Sequence, residues 1–280
     1  MCAKIGTSEF IQTSPELERG IIKAMAWLKK IISVIIAVIA LGFGGMSIWF
    51  AQDVSDEEAA RRFITANPLD LSQIEGFSKY RSCMGHDFRA PNLSGEKEAT
   101  PRSQKHYVMV KPKFHGTIDK VSAFAPFDGI ISVVDDDLGG PGDQQIWLTP
   151  DSISPRQWHF VFFHINLKRG LEKGSAVKAG DLIGTANLRR GPENTTGNFD
   201  IAVKFTRPMH RPAIDAPLNH AVQNVLDEYR EYGVSANDFI IPEKERDAVA
   251  CQIDPNVNYG GPDAYFARET SPGDYLWLKK

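Results

Sequence analysis

Strong charge of either sign is missing from this chain. Lys and Arg total 32 against 35 Asp and Glu, a net −3 over 280 residues. That balance gives no strong pull towards nucleic acid. Cysteine is scarce: the three residues, Cys2, Cys83 and Cys251, allow no more than one disulfide within the chain. The composition of a disordered segment is absent too, since 42% of residues are hydrophobic and 10% aromatic. No internal repeat occurs at solenoid spacing. A phosphate cradle is also excluded. The glycine cluster at 139–142 leads into neither a helix nor a Lys-Ser/Thr pair, and reads as a loop tip.

One long uncharged run is present. Ile31 to Ala51 carries no charge over 21 residues. As a helix it measures about 31 Å, enough to cross the hydrocarbon of a bilayer. Lys23, Lys29 and Lys30 precede it, and Asp53, Asp56, Glu57 and Glu58 follow it. The positive flank predicts a single-pass membrane protein with a cytoplasmic N-terminus and an extracytoplasmic remainder. Residues 1–20 read as a cytoplasmic tail, and 21–51 as the anchor region. A cleaved signal peptide starting at Met25 is the competing reading, but no good small-x-small cleavage site follows the run. Cys83 and Cys251 then lie together in an oxidising compartment and are candidates to pair, with Cys2 on the other side.

Beyond the run, Ser55 with Glu58 has the form of a capping box and predicts a helix to about Ala66, so 52–82 reads as a helical stalk. From about Lys105 the pattern turns to short β-branched and aromatic runs. Examples are 107–110, 129–134, 145–148 and 159–163, separated by Gly, Pro and Asp clusters. The predicted class is mainly β: an antiparallel β-sandwich or hairpin barrel over 83–205. Leu218 to Tyr232 has helical spacing with Gly233 as a stop, and 235–248 holds room for a second short helix. Residues 206–280 read as a small helical extension packed on the domain.

Four phrases stand in order within 83–205. They are VSAFAPFDGII at 121–131, FFHINL at 162–167, GSAVKAGDLIG at 174–184 and NFDIAV at 198–203. Together they resemble the M23, lysostaphin-type zinc peptidases, a duplicated hybrid motif family. The resemblance implies a metal held by the His and Asp of His-x-x-x-Asp and by the second His of His-x-His. At those positions this chain has Cys83, Asp87 and Asp200, so a bound zinc would have to use those three. The catalytic pair implied is Asn198 and His164, and Asn is no general base. His164 therefore remains as the one candidate for proton transfer, and His86, Asp87, Asn198 and Asp200 line the implied cleft. A three-histidine site from His86, His106 and His164 is an alternative register. Arg81, His86 and His164 are possible partners for the Asp87 and Asp200 carboxylates.

Two altered ligands imply a degenerate member, leaning away from enzymatic activity, with no cofactor expected and zinc as the possible exception. The leading expectation is a membrane-anchored domain, non-catalytic, that binds a cell-envelope polymer or a partner in cell-wall metabolism. An active zinc endopeptidase on wall peptides is the first alternative. A phosphotransfer or carrier-type hybrid-motif domain is the second. His159 reads as structural and Asp128 as a turn residue. Trp147, Trp158 and Phe160 could offer a sugar-stacking face but alternate as core residues do.

Overall fold

The computed structural model describes residues 15–50, 54–136, 142–153, 157–189, 195–208, 210–257, 263–267 and 272–279, without the side chains of 15, 17, 18, 21, 22 and 41–50. The chain forms two compact units, Met1–Gln52 and Asp53–Lys280. The first holds one long helix, α1 (Pro15–Phe50). Its apolar side chains at Met25, Trp27, Val34, Ile36 and Val38 are exposed. Among the described residues no helix is long and apolar enough to cross a membrane. The second half of the expected span, 41–51, has no described side chains.

The second unit begins with α2 (Asp56–Ala59), whose first turn is capped by Ser55 Oγ accepting from the Glu58 amide at 3.2 Å. The helix expected to run to about Ala66 stops here, because the next apolar residues have a better place to go. Phe63 and Ile64 turn into the core, 2% and 1% exposed, and Phe63 packs against Phe127 and Trp158. Burying two such side chains outweighs two more turns of a short polar helix. The segment 52–82 is therefore no stalk. It supplies core residues and a strand.

That strand is β1 (Ile74–Ser78). There follow β2 (His106–Val110), β3 (Ser122–Phe124), β4 (Gly129–Asp135), β5 (Gln144–Pro150), β6 (Trp158–Leu167), β7 (Ala176–Val177), β8 (Leu182–Ala186), β9 (Asn198–Phe205), β10 (Ala213–Asp215) and β11 (Tyr275–Trp277). Every pairing between these strands is antiparallel, along the path β11-β1-β2-β9-β6-β5-β4-β7. β10 adds to β9, and β8 joins β3 to β6. The alternation of β9 divides the sheet into two faces. Phe199, Ile201, Val203 and Phe205 enter the main core with Phe160, Phe162 and Trp158. Trp158 and Phe160 are fully buried there and form no sugar-stacking face. Asp200, Ala202 and Lys204 point to the other face.

The C-terminal part carries α3 (Gln223–Glu231), which buries Val225 and Tyr229, and α4 (Glu243–Ala248). Gly233 stands at φ 78° just beyond α3, a left-handed position that ends the helix without a Cβ penalty. This part also adds an edge strand to the sheet: β11 pairs with β1, Phe77 opposite Leu276.

Candidate functional site

The second face of β2, β9 and β6 is where the candidate residues fall. Tyr107 lies opposite Asp200, and Phe163 lies opposite Asp200 from the other side. Lys105, two residues ahead of Tyr107, projects from the same face. Its ammonium Nζ lies 2.6 Å from Asp200 Oδ2, with the side chains 5% and 1% exposed. Three rings surround the ammonium: Phe88 at 4.8 Å, Phe163 at 4.9 Å and Tyr107 at 5.0 Å to the centroids. Such a ring cage stabilises a cation that burial would otherwise destabilise. Further along the face, Lys204 Nζ lies 4.3 Å from the Trp147 ring centroid and donates to Gln145 Oε1. Burial, reinforced by the charge of Lys105, lowers the Lys204 amine to about 8.

His164 reaches this face through a bulge. β5 and β6 pair Ile146 with Phe162 but Gln144 with Ile165, so β6 carries an extra residue there. His164 sits in it at φ 62°. A bulge re-aims one side chain out of the alternation. Nδ1–H of His164 donates to Asp143 Oδ1 at 2.8 Å, and Nε2 stands 4.0 Å from Asp200 Oδ2. Asp143 is 1% exposed.

The segment 81–104 covers this face, and its fastenings are polar and buried. Glu98 accepts from Arg81 Nε at 2.9 Å and from Arg102 Nη1 at 2.8 Å. Arg102 also meets Asp247 in the C-terminal part. Gly85, at φ 75°, passes so close over Tyr107 that an added Cβ would lie 1.9 Å from the phenolic oxygen. Asp87 N donates to Ala264 O at 2.7 Å, and His86 bridges to Tyr265. Cys83 and Cys251 form a disulfide, which pins the C-terminal part to the cover. Arg246 Nη1 lies 2.9 Å from Cys83 Sγ, and the same guanidinium pairs with Asp274.

The expected metal ligands do not converge. Cys83 is held by Cys251, Asp87 forms a two-pronged pair with Arg89 at 2.8 and 2.7 Å, and Asp200 faces Lys105. Among the described residues no three His, Cys, Asp or Glu side chains come together as a metal site. The three-histidine alternative fails by sheet periodicity. His106 points to the opposite face from Lys105 and Tyr107, donating Nδ1–H to Ser78 O at 2.8 Å beside Tyr80 and Phe239. Burial lowers its pKa to about 4. His86 rests against Phe88 and Tyr265, its pKa lowered by burial and then by Lys105. Its carboxylate neighbour within ion-pair distance is Asp263 at 3.7 Å, and Asp200 acts on it through space as a weaker influence than burial and Lys105, while Arg81 pairs with Glu98. Asn198 opens β9 opposite Met109. His159 is structural, lodged between the Thr149 and Thr206 hydroxyls, with its pKa lowered to about 4 by burial and then by Lys204. Asp128 takes the turn role, accepting from the Ala179 amide.

Asp143, Lys204 and the pairing of Lys105 with Asp200 are what sequence reasoning missed. A lysine in an otherwise apolar strand, as at 204, was a visible signal. The two partners Lys105 and Asp143 lie outside any recognisable phrase, 95 and 21 residues from Asp200 and His164.

No protein-family model and no curated protein matches the chain. Several solved structures are similar. A Ruminococcus gnavus protein bearing the name of the glycyl-glycine endopeptidase LytM shares 23% identity at a TM-score of 0.30, over 41% of this chain and 43% of that one. Csd3 of Helicobacter pylori shares 17% at a TM-score of 0.34, over 58% and 34%. A zinc-containing peptidase of Vibrio cholerae shares 16% at a TM-score of 0.32, over 55% and 39%. The chain thus spans between a third and just over two fifths of the length of these proteins. Likenesses at this level assign it no activity and no ligand.

Proposed function

We propose that this chain is a non-catalytic, M23-like domain that binds a cell-envelope polymer or a partner protein of wall metabolism. The observation that carries the reading is the Lys105–Asp200 pair. Asp200 stands where the resembled family has a metal ligand, and an internal ammonium at 2.6 Å supplies the positive charge there. The other two candidate ligands are engaged by a disulfide and by Arg89. A thiolate and two carboxylates drawn from those partners would suit zinc poorly. We read 31–51 as the membrane anchor from its uncharged length and its flanks. The Cys83–Cys251 disulfide supports an extracytoplasmic location for 53–280.

The test is metal analysis of the full chain purified in detergent, with cleavage assays on wall peptides. The expected result is no stoichiometric zinc and no cleavage that a chelator abolishes. One zinc per chain with chelator-sensitive hydrolysis sinks the reading.

A further inference from the structure

The ion pair that closes this site also has the parts of a condensation reaction. We propose that Lys105 and Asp200 become joined by an amide bond between Nζ and Cγ, an internal crosslink between the segment leading into β2 and strand β9. The two groups touch at 2.6 Å and are 5% and 1% exposed. Three aromatic rings enclose the nitrogen. Condensation removes both charges from a buried place, where charges are costly: the proton passes from Nζ to the carboxylate and the neutral pair is what reacts.

His164 supplies the proton carrier. Asp143 holds its Nδ1–H, so Nε2 is the nitrogen that faces the pair, 4.0 Å from Asp200 Oδ2. The step balances without a co-reactant. The neutral amine attacks Cγ of the protonated acid. Nε2 accepts a proton from the nitrogen and returns it to the departing oxygen. Oδ2 leaves as water, and one C–N bond replaces one C–O bond. Holding amine and acid together in one geometry acts as an effective concentration of about 10⁵–10⁸ M, which favours an amide that free groups in water do not form.

This inference goes beyond the proposed function, since the ion pair and the amide alike take Asp200 away from a metal. Zinc content tests that reading; covalent mass tests this one. Intact mass spectrometry of the full folded chain is expected to show the loss of one water besides the two hydrogens of the disulfide. Tandem spectra of a digest should place that loss on a branched peptide joining Lys105 to Asp200. Lys105→Arg keeps the charge pair and is expected to restore the unmodified mass. His164→Ala should slow bond formation after refolding by about a hundredfold, the usual worth of an acid–base group, with the far-ultraviolet circular dichroism unchanged. A folded wild-type chain that retains the water, or loses it elsewhere, overturns the proposal.

Discussion

Asp143 holds the ring of His164 by one hydrogen bond, 2.8 Å from Oδ1 to Nδ1, at a backbone position of φ 62°. A non-glycine residue in that left-handed region costs of order 1 kcal/mol or more and persists only when its surroundings fix it. The buried carboxylate does so here. Asp143→Ala is expected to lower stability by about 1.5–3 kcal/mol in urea denaturation, the range for a hydrogen bond to a charged group. Nitrogen-15 spectra should show His164 leaving its single Nδ1–H tautomer. An unchanged tautomer would sever the link between the two residues.

Glu98 holds the cover with a side chain at 0% exposure between Arg81 and Arg102. Glu98→Gln removes the buried carboxylate that Arg81 and Arg102 share, and breaking a buried pair costs about 3–5 kcal/mol. The chemical denaturation midpoint should fall accordingly, with Arg81→Lys milder because one charge survives.

The disulfide closes a separation of 168 residues. Its removal in the Cys83→Ser, Cys251→Ser double variant should cost about 2–5 kcal/mol. Thermal melts with and without reductant should differ for the natural chain and coincide for the variant. Amide exchange at Asp87 should speed up, since its partner Ala264 lies on the pinned part.

His106 and His159 give the fold an acid dependence. Both are lowered from 6.5 to about 4 by burial. The folded state keeps them neutral while the unfolded chain takes up protons below 6.5. Their contribution is therefore whole above about pH 6.5 and is lost as pH falls towards 4, where it levels off. Each histidine is worth on the order of 3 kcal/mol across that window. Stability measured from pH 7 to 4 should fall, and His106→Gln should flatten part of the slope.

Much of the β domain was legible because alternation and turn chemistry are local. The runs at 107–110, 129–134, 145–148 and 159–163 lie within the strands His106–Val110, Gly129–Asp135, Gln144–Pro150 and Trp158–Leu167. The stalk was misread because a capping box announces a helix start and says nothing of its end. Phe63 and Ile64 end it through contacts with residues far along the chain. The site was legible only in halves. Asp200 and His164 stood out, yet the pairs Lys105–Asp200 and Asp143–His164 needed the sheet and the bulge to be seen.

The sequence by itself determined the mainly β class, the turn at Asp128, the end of α3 at Gly233 and the candidates on β6 and β9, because each depends on neighbours a few residues away. Only the tertiary structure decided that Asp200 faces a lysine, that Cys83 joins Cys251 and that Asp87 turns to Arg89 beneath a cover tied to the C-terminal part. A charge in a packed interior takes the partner that the fold brings within about 3 Å, and that proximity is set by strand register.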